Sequence, residues 1–335
     1  METVAEVGEF GLIERLHQVL EEEGRPPGLV LGIGDDAALL RPSAGVEWAV
    51  TCDVLLEGRH FLPQFLRGAA LGRRATEVNL SDLAAMGAQP RYAFAALGLR
   101  GDTAAAEVVD WYRGFAESLR PWGACLAGGN MTRLEGAQFI SLTLIGEVAL
   151  GRALRRDGAH QGDAIMVTGY PGQAAAGLAL LRRDGAAAGP LVDAHLAPRA
   201  RVAEARALAA GGLLSAAIDL SDGLPGDLAH LCRASGVGAR LWAERLPQSP
   251  ALRAAGAALG QDPLDWVLGP SDDYELLLTC PQEKAAAVLD CATTWVKVPL
   301  RQIGVLDGEA GRLELVAADG SVRLLDPRGW DHFAA

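Results

Sequence analysis

"AIDLSDGLPGDL", residues 217–228, is an apolar run carrying one acid, a polar break, and the opening of a helix. Ala217–Leu220 has strand character, Ser221-Asp222-Gly223 interrupts it, and "PGDLAHLCRASG" continues with apolar residues at helical spacing. A strand feeding a helix through a short loop is the unit of a mixed α and β protein. The stretch also sets Asp219, Ser221, Asp222 and Asp227 within nine positions. Carboxylates packed this tightly repel one another unless something positive lies between them.

The same theme returns at "VNLSDLAAMGA", residues 78–88, around Asp82. The spacing of 71–88 predicts a helix that stalls near Asn79–Asp82 and resumes. Outward from there, "GEFGLIERLHQVLEEEG" (8–24) and "AAAEVVDWYRGFAESLRPWG" (104–123) read as amphipathic helices. "WAVTCDVLLEG" (48–58), "RYAFAALGL" (91–99), "ACLAGGN" (124–130) and "QFISLTLIGEV" (138–148) read as strands. Near 150 the composition turns polar, Arg-rich and Gly-punctuated, in "GRALRRDGAHQGD" (151–163). A domain boundary is expected there, with domains at 1–150 and 151–335. The second half repeats strand and helix: "AIMVTGY", "GQAAAGLALLRR", "AAIDLSDGL", "GARLWAE", "PALRAAGAAL", "YELLLTCP", "QEKAAAVLDCA", "RQIGVL". The fold class is α+β in two domains, which suits a chain of 335 residues.

Composition excludes several function classes. Half the residues are hydrophobic, enough for a large core. The net charge is −12 and no basic run is longer than Arg-Arg, so neither nucleic acid nor an anionic membrane is an expected partner. The five cysteines are scattered, with no C-x-x-C, and read as reduced, mostly buried thiols. The acidic N-terminus lacks a signal-type apolar core, and no apolar stretch reaches the roughly 18 residues a membrane span needs. A cytoplasmic protein is the expectation.

The acidic residues in suspect positions are Asp35, Asp36, Asp53, Asp82, Asp219, Asp222, Asp272 and Asp273, each where an apolar run meets a loop or helix start. Any one alone reads as a helix cap. As a set with few basic neighbours they suit a hard cation held by oxygens, above all Mg2+ with substrate phosphates. That set suggests phosphoryl transfer, yet neither G-x-x-x-x-G-K-[ST] nor the protein-kinase motif set occurs, and the residues alone lead no further than a Mg2+-dependent enzyme acting on a phosphorylated substrate. Phosphates would then be held by metals, by backbone N–H groups at glycine turns such as Gly128-Gly129, and by an occasional Arg.

The chain resembles the thiamine-monophosphate kinases, in the superfamily of aminoimidazole ribonucleotide and selenophosphate synthetases. The resemblance runs almost end to end. It rests on "GEFGLIERL" (8–16), "GIGDDAALL" (32–40), "EGRHF" (57–61), "VNLSDLAAMGAQP" (78–90), Gly128-Gly129-Asn130 with Thr132-Arg133, "GRALRR" (151–156), "VTGYPGQAAAGLALL" (167–181), "AIDLSDGL" (217–224), "DDYEL" (272–276) and "GWDHF" (329–333). It implies transfer of the γ-phosphoryl of ATP to thiamine monophosphate, giving thiamine diphosphate and ADP with several Mg2+ ions. By resemblance Asp36, Asp53, Asp82, Asp219 and Asp222 are metal ligands, with Thr51, Cys52 and Asn130 beside them. Asp82 and Asp222 stand nearest the chemistry. Tyr112, Gly128, Gly129, Arg156 and Ser221 match nucleotide-contacting positions, and His60, Asp272 and Trp330 match positions that hold thiamine phosphate. The implied fold has an N-terminal domain that binds ATP and metal and pairs with a second copy in a β-barrel-like homodimer. The two Ser-Asp motifs would come from different domains to one metal cluster.

Three departures stand out. Asn130 replaces the family's Asp, Pro270-Ser271-Asp272 replaces Gly-Gly-Glu, and Cys52 replaces Thr. They leave two other readings: an enzyme with another phosphorylated acceptor, or a paralogue that only binds nucleotide or thiamine phosphate.

Overall fold

The computed structural model describes residues 2–3, 6–7, 12, 15–16, 18–19, 28–31, 39–40, 42–295, 298–327 and 329. Most of the helix expected at 8–24, together with Asp35, Asp36 and Trp330, lies outside them. The chain divides into two compact units, one of Met1–Leu83 with Ala88–Gly151 and one of Ala84–Gly87 with Arg152–Ala335. Both units combine helices and sheet, so the mixed α+β class read from the sequence holds.

In the first unit, β1 (Leu29–Leu31) pairs with β2 (Leu39–Leu40). A separate four-stranded sheet is built from β3 (Val46–Leu56), β4 (Gln89–Leu99), β5 (Cys125–Arg133) and β6 (Phe139–Ala149) in the order β3-β6-β4-β5. β4 and β5 run parallel and the other pairs antiparallel. The sheet is open, with β3 at one edge. The period-2 pattern of β6 buries Ile140, Leu142 and Leu144 on one face. Helices Gly68–Ala85 and Ala105–Leu119 meet closely at two glycines: a Cβ on Gly72 would lie 2.1 Å from Trp111 O, and one on Gly114 the same distance from Ala69 O.

The first of these helices does not stall. Asn79 and Ser81 are buried, and Asn79 Nδ2 donates to Ala75 O one turn back at 3.0 Å, so the polar run is satisfied within a continuous helix. β3 alternates in the other sense: Trp48, Val50, Cys52, Val54 and Leu56 are exposed while the residues between them turn inward.

The second unit holds seven strands in the order β13-β12-β9-β11-β7-β10-β8. They are β7 (Ala164–Thr168), β8 (Ala216–Leu220), β9 (Ala239–Trp242), β10 (Glu275–Cys280), β11 (Leu300–Val305), β12 (Leu313–Val316) and β13 (Val322–Leu324). β7, β8 and β10 are buried at every position, as their continuous apolar sequences require of strands covered on both faces. Helices Leu224–Ser235 and Pro250–Leu259 pack Leu228, Leu231 and Leu252 into the same core as Ile218, Val167 and Leu277. Helices Pro190–Leu196, Val202–Ala210 and Pro263–Val267, with β12 and β13, are further elements too short for a periodic signal.

All five cysteines are free thiols; only Cys232 and Cys280 are buried, and Cys52 is exposed because strand alternation turns it outward. Among the described residues no helix is long and apolar enough to cross a membrane.

Candidate active site

Asp53 lies in the middle of β3, not at a strand end. It sits opposite Leu142, whose side chain is buried, so Asp53 faces the covered side of the sheet. There the helix Gly68–Ala85 brings Asn79 and Asp82. The Asp53 main-chain N–H donates to Asn79 Oδ1 at 3.2 Å, and Thr51 Oγ1 donates to Asp82 Oδ2. Burial, then the Asp82 charge, then a hydrogen bond to Asp82 push the Asp53 carboxyl up to about 7. Asp53 therefore keeps a proton close to neutrality. Thr51, Asp53 and Asp82 form one group of oxygen donors. Asp82 is inside the helix, which removes the capping reading.

The other residues of this unit fall elsewhere. The Cys52 thiol is on the opposite face of β3, 3.6 Å from Ser141 Oγ. His60 Nδ1 accepts the Leu56 N–H at 3.0 Å, which leaves the proton on Nε2. Tyr112 is a core residue, its ring 5.2 Å from that of Phe115, and burial drives its phenol far above the usual value. Gly128 and Gly129 lie in β5, not in a turn. A Cβ on Gly129 would come within 2.3 Å of Ala95 O, so this glycine is required by the close approach of β4. Asn130 is exposed, and its Oδ1 accepts the Met131 N–H at 2.9 Å.

In the second unit Asp219 is buried at the end of β8, and the chain then turns through Ser221-Asp222-Gly223 into the helix Leu224–Ser235. The helix has Gly223 at its N-cap, with no side-chain cap. Asp227 is buried behind this turn; burial and the charges of Asp219 and Asp222 push its carboxyl up to about 8, against hydrogen bonds that lower it. Arg156 belongs to the same neighbourhood: its charge, with those of Arg233 and Asp222, acts on His230.

The loop before β10 adjoins this turn. The Tyr274 N–H donates to Leu220 O at 2.8 Å, and Tyr274 takes a left-handed φ of 54°. Asp272 Oδ1 lies 3.6 Å from His195 Nδ1. Asp273 points the other way, accepting the N–H groups of Gly172 at 2.6 Å and Ala174 at 2.9 Å at the start of the helix Gln173–Arg183. Burial raises its carboxyl to about 7 against those bonds. Asp273 thus serves structure, satisfying the first N–H groups of a helix distant in sequence rather than capping one that follows it. His195 had no motif to flag it, whereas Asp227 stood in the opening stretch and could have been found from its place in the first turn of a helix.

Among the described residues no three His, Cys, Asp or Glu side chains form a group that could hold a metal ion by themselves. The donors instead come as an Asp pair with a hydroxyl in one unit and as Asp219 and Asp222 in the other. Mg2+ suits such sets, because it takes one or two carboxylates and completes its shell with water and phosphate oxygens.

Comparison with known proteins agrees with this architecture. Residues 34–148 match the N-terminal domain of AIR synthase related proteins, and residues 160–315 match the C-terminal domain. The thiamine-monophosphate kinase of Escherichia coli K12 is 40% identical over 336 residues, covering 98% of each chain. A crystal structure of thiamine-monophosphate kinase from Stenotrophomonas maltophilia superposes with a TM-score of 0.80 at 37% identity, over 94% of this chain and 97% of that one. The structure of AaThiL complexed with AMPPCP and TMP gives 0.76 at 33% identity, over 98% of both chains. With relatives this similar along its whole length, the chain belongs to the thiamine-monophosphate kinase family of AIR synthase related proteins.

Proposed function

We propose that this enzyme transfers the γ-phosphoryl group of ATP to the phosphate of thiamine monophosphate, releasing ADP and thiamine diphosphate. The observation that carries the reading to these residues is the grouping of Thr51, Asp53 and Asp82 on the covered face of the sheet, where burial first and the Asp82 charge second raise the Asp53 carboxyl to about 7. When bound, Mg2+ ions would neutralise the polyphosphates and align donor with acceptor, which is most of what phosphoryl transfer asks of a protein. Asp36, Asp53, Asp82, Asp219 and Asp222 would hold the ions, with Thr51 and Asn130 as neutral oxygen donors. Thr51 orients the Asp82 carboxylate through its hydroxyl. The acceptor phosphate is anionic at neutral pH, so no strong general base is needed. Gly128, Gly129, Ser221 and Arg156 would meet the nucleotide. His60, offering Nε2–H, would meet the thiamine phosphate with Asp272 and Trp330. Tyr112 supports this region from the core, and Cys52 contributes no side chain to the metal group.

The enzyme is proposed to act in the cytoplasm as a homodimer through its N-terminal unit. The support is edge strand β3, which exposes Trp48, Val50, Val54 and Leu56 by 41, 60, 48 and 37%. An apolar row on an open edge calls for a covering surface. Pairing of two such sheets would produce the barrel-like interface.

A coupled assay of ADP release tests the reaction. Release is expected only when ATP, Mg2+ and thiamine monophosphate are all present. Turnover with another phosphorylated acceptor alone, or binding without turnover, would overturn it.

A further inference from the structure

One oxygen of Asp227 gathers three consecutive main-chain groups. The N–H groups of Ser221, Asp222 and Gly223 each donate to Asp227 Oδ2 at 3.1 Å. Asp227 is 2% exposed. Its own N–H donates to Gly223 O at 3.0 Å, so the first helical turn closes on the loop from both directions. From the other side the loop meets main chain: a Cβ on Gly223, at φ 109°, would lie 2.5 Å from Gly269 O. The Ser221–Gly223 turn is therefore clamped, and its three N–H groups are occupied by the protein's own carboxylate.

We infer that Asp227 is a positioning residue, which holds the turn so that the side chains of Ser221 and Asp222 present in one fixed pose. What those side chains receive rests on the function proposed above. Asp227 itself touches neither metal nor phosphate. A corollary is that phosphate is not cradled by the backbone of this turn, so anionic substrate is received here through cations and side chains. A carboxylate, a carboxylic acid or an amide can each place an acceptor oxygen before these N–H groups; what matters is where that oxygen stands.

Three variants separate position from charge. D227N keeps an acceptor oxygen in place and loses the charge. D227E keeps the charge and displaces the oxygen by one methylene. D227A removes both. Two measurements apply to each: hydrogen exchange of the peptide spanning 220–228 without metal, and calorimetric binding of a non-hydrolysable ATP analogue across a Mg2+ titration. D227N is expected to keep both the protection and the wild-type Mg2+ requirement. D227E and D227A are expected to lose protection and to need about tenfold more Mg2+, the scale on which residues behind metal ligands act. D227N falling as far as D227A, or D227E matching wild type, would overturn the inference, because charge rather than position would then matter. Should D227A fail to fold, the D227N and D227E pair still decides. A wild-type enzyme inactive on thiamine monophosphate would sink the proposed reaction, while the exchange measurement would still judge Asp227.

Discussion

Arg201 grips Glu275 through two parallel hydrogen bonds, Nε to Oε2 at 2.7 Å and Nη2 to Oε1 at 2.5 Å. Thr168 Oγ1 adds a third to the same carboxylate at 2.6 Å and accepts the Leu276 N–H at 2.8 Å. Gly169 makes room: a Cβ there would sit 1.9 Å from Glu275 Oε1. Through these bonds Glu275 ties the start of β10, and with it the loop bearing Asp272, to the start of the helix Val202–Ala210 by Arg201 and to the end of β7 by Thr168.

Removing one partner of such a buried pair leaves a charge without compensation. Arg201→Met is expected to cost about 3 kcal/mol of stability. Adding Glu275→Gln to it should recover part of the loss. Urea unfolding of both proteins checks this, and equal stability of Arg201→Met and wild type would refute it.

Asp82→Asn removes charge from the Asp53–Asp82 pair at nearly constant shape. Mg2+-dependent ADP release should be abolished while circular dichroism stays that of the wild type. Near-normal turnover would remove Asp82 from the metal group.

Without metal, stability should fall as pH rises from about 4 to about 8. Unfolded aspartates ionise near 4. Asp53 and Asp273 ionise at about 7 and Asp227 at about 8 in the folded enzyme. Between these limits the folded state binds more protons than the unfolded state, so the slope with pH is negative. Thermal unfolding in a chelator at pH 5 and pH 8 measures it. Saturating Mg2+ should lessen the difference, by replacing the proton at Asp53.

Asn130→Asp adds a carboxylate on an exposed position of β5. The Mg2+ concentration for half-maximal turnover should drop several-fold, since a charged oxygen binds a hard cation more tightly than an amide. A titration curve that does not move would take residue 130 out of the metal group.

Light scattering at micromolar concentration should give the mass of a dimer. Val50→Lys with Val54→Lys should give a monomer, because both side chains stand on the exposed row of β3. A dimer that survives both changes would place the interface elsewhere.

Local pattern was enough for most elements. The alternation of "QFISLTLIGEV" and the unbroken apolar runs before Asp219 and through "YELLLTC" identify β6, β8 and β10, because burial on one or both faces writes itself into neighbouring residues. The echo of Ser-Asp drew attention to Asp82 and Asp222, and likeness to a family supplied the chemistry proposed for them. The sequence by itself did not say that Asn79 would bond within its helix, that Asp53 and Thr51 would face Asp82 while Cys52 turned away, or that Asp273 would cap a distant helix. Nor did it say that Asp227 would bend back over the turn preceding it. The Asn79 and Asp227 bonds are local, yet no periodicity marks them, while the others depend on strand register or on packing between segments far apart in the chain. A periodicity records which face of an element is buried, but only the long-range pairing of β3 with β6, and the docking of the helix Gly68–Ala85 on that sheet, decides which buried faces meet.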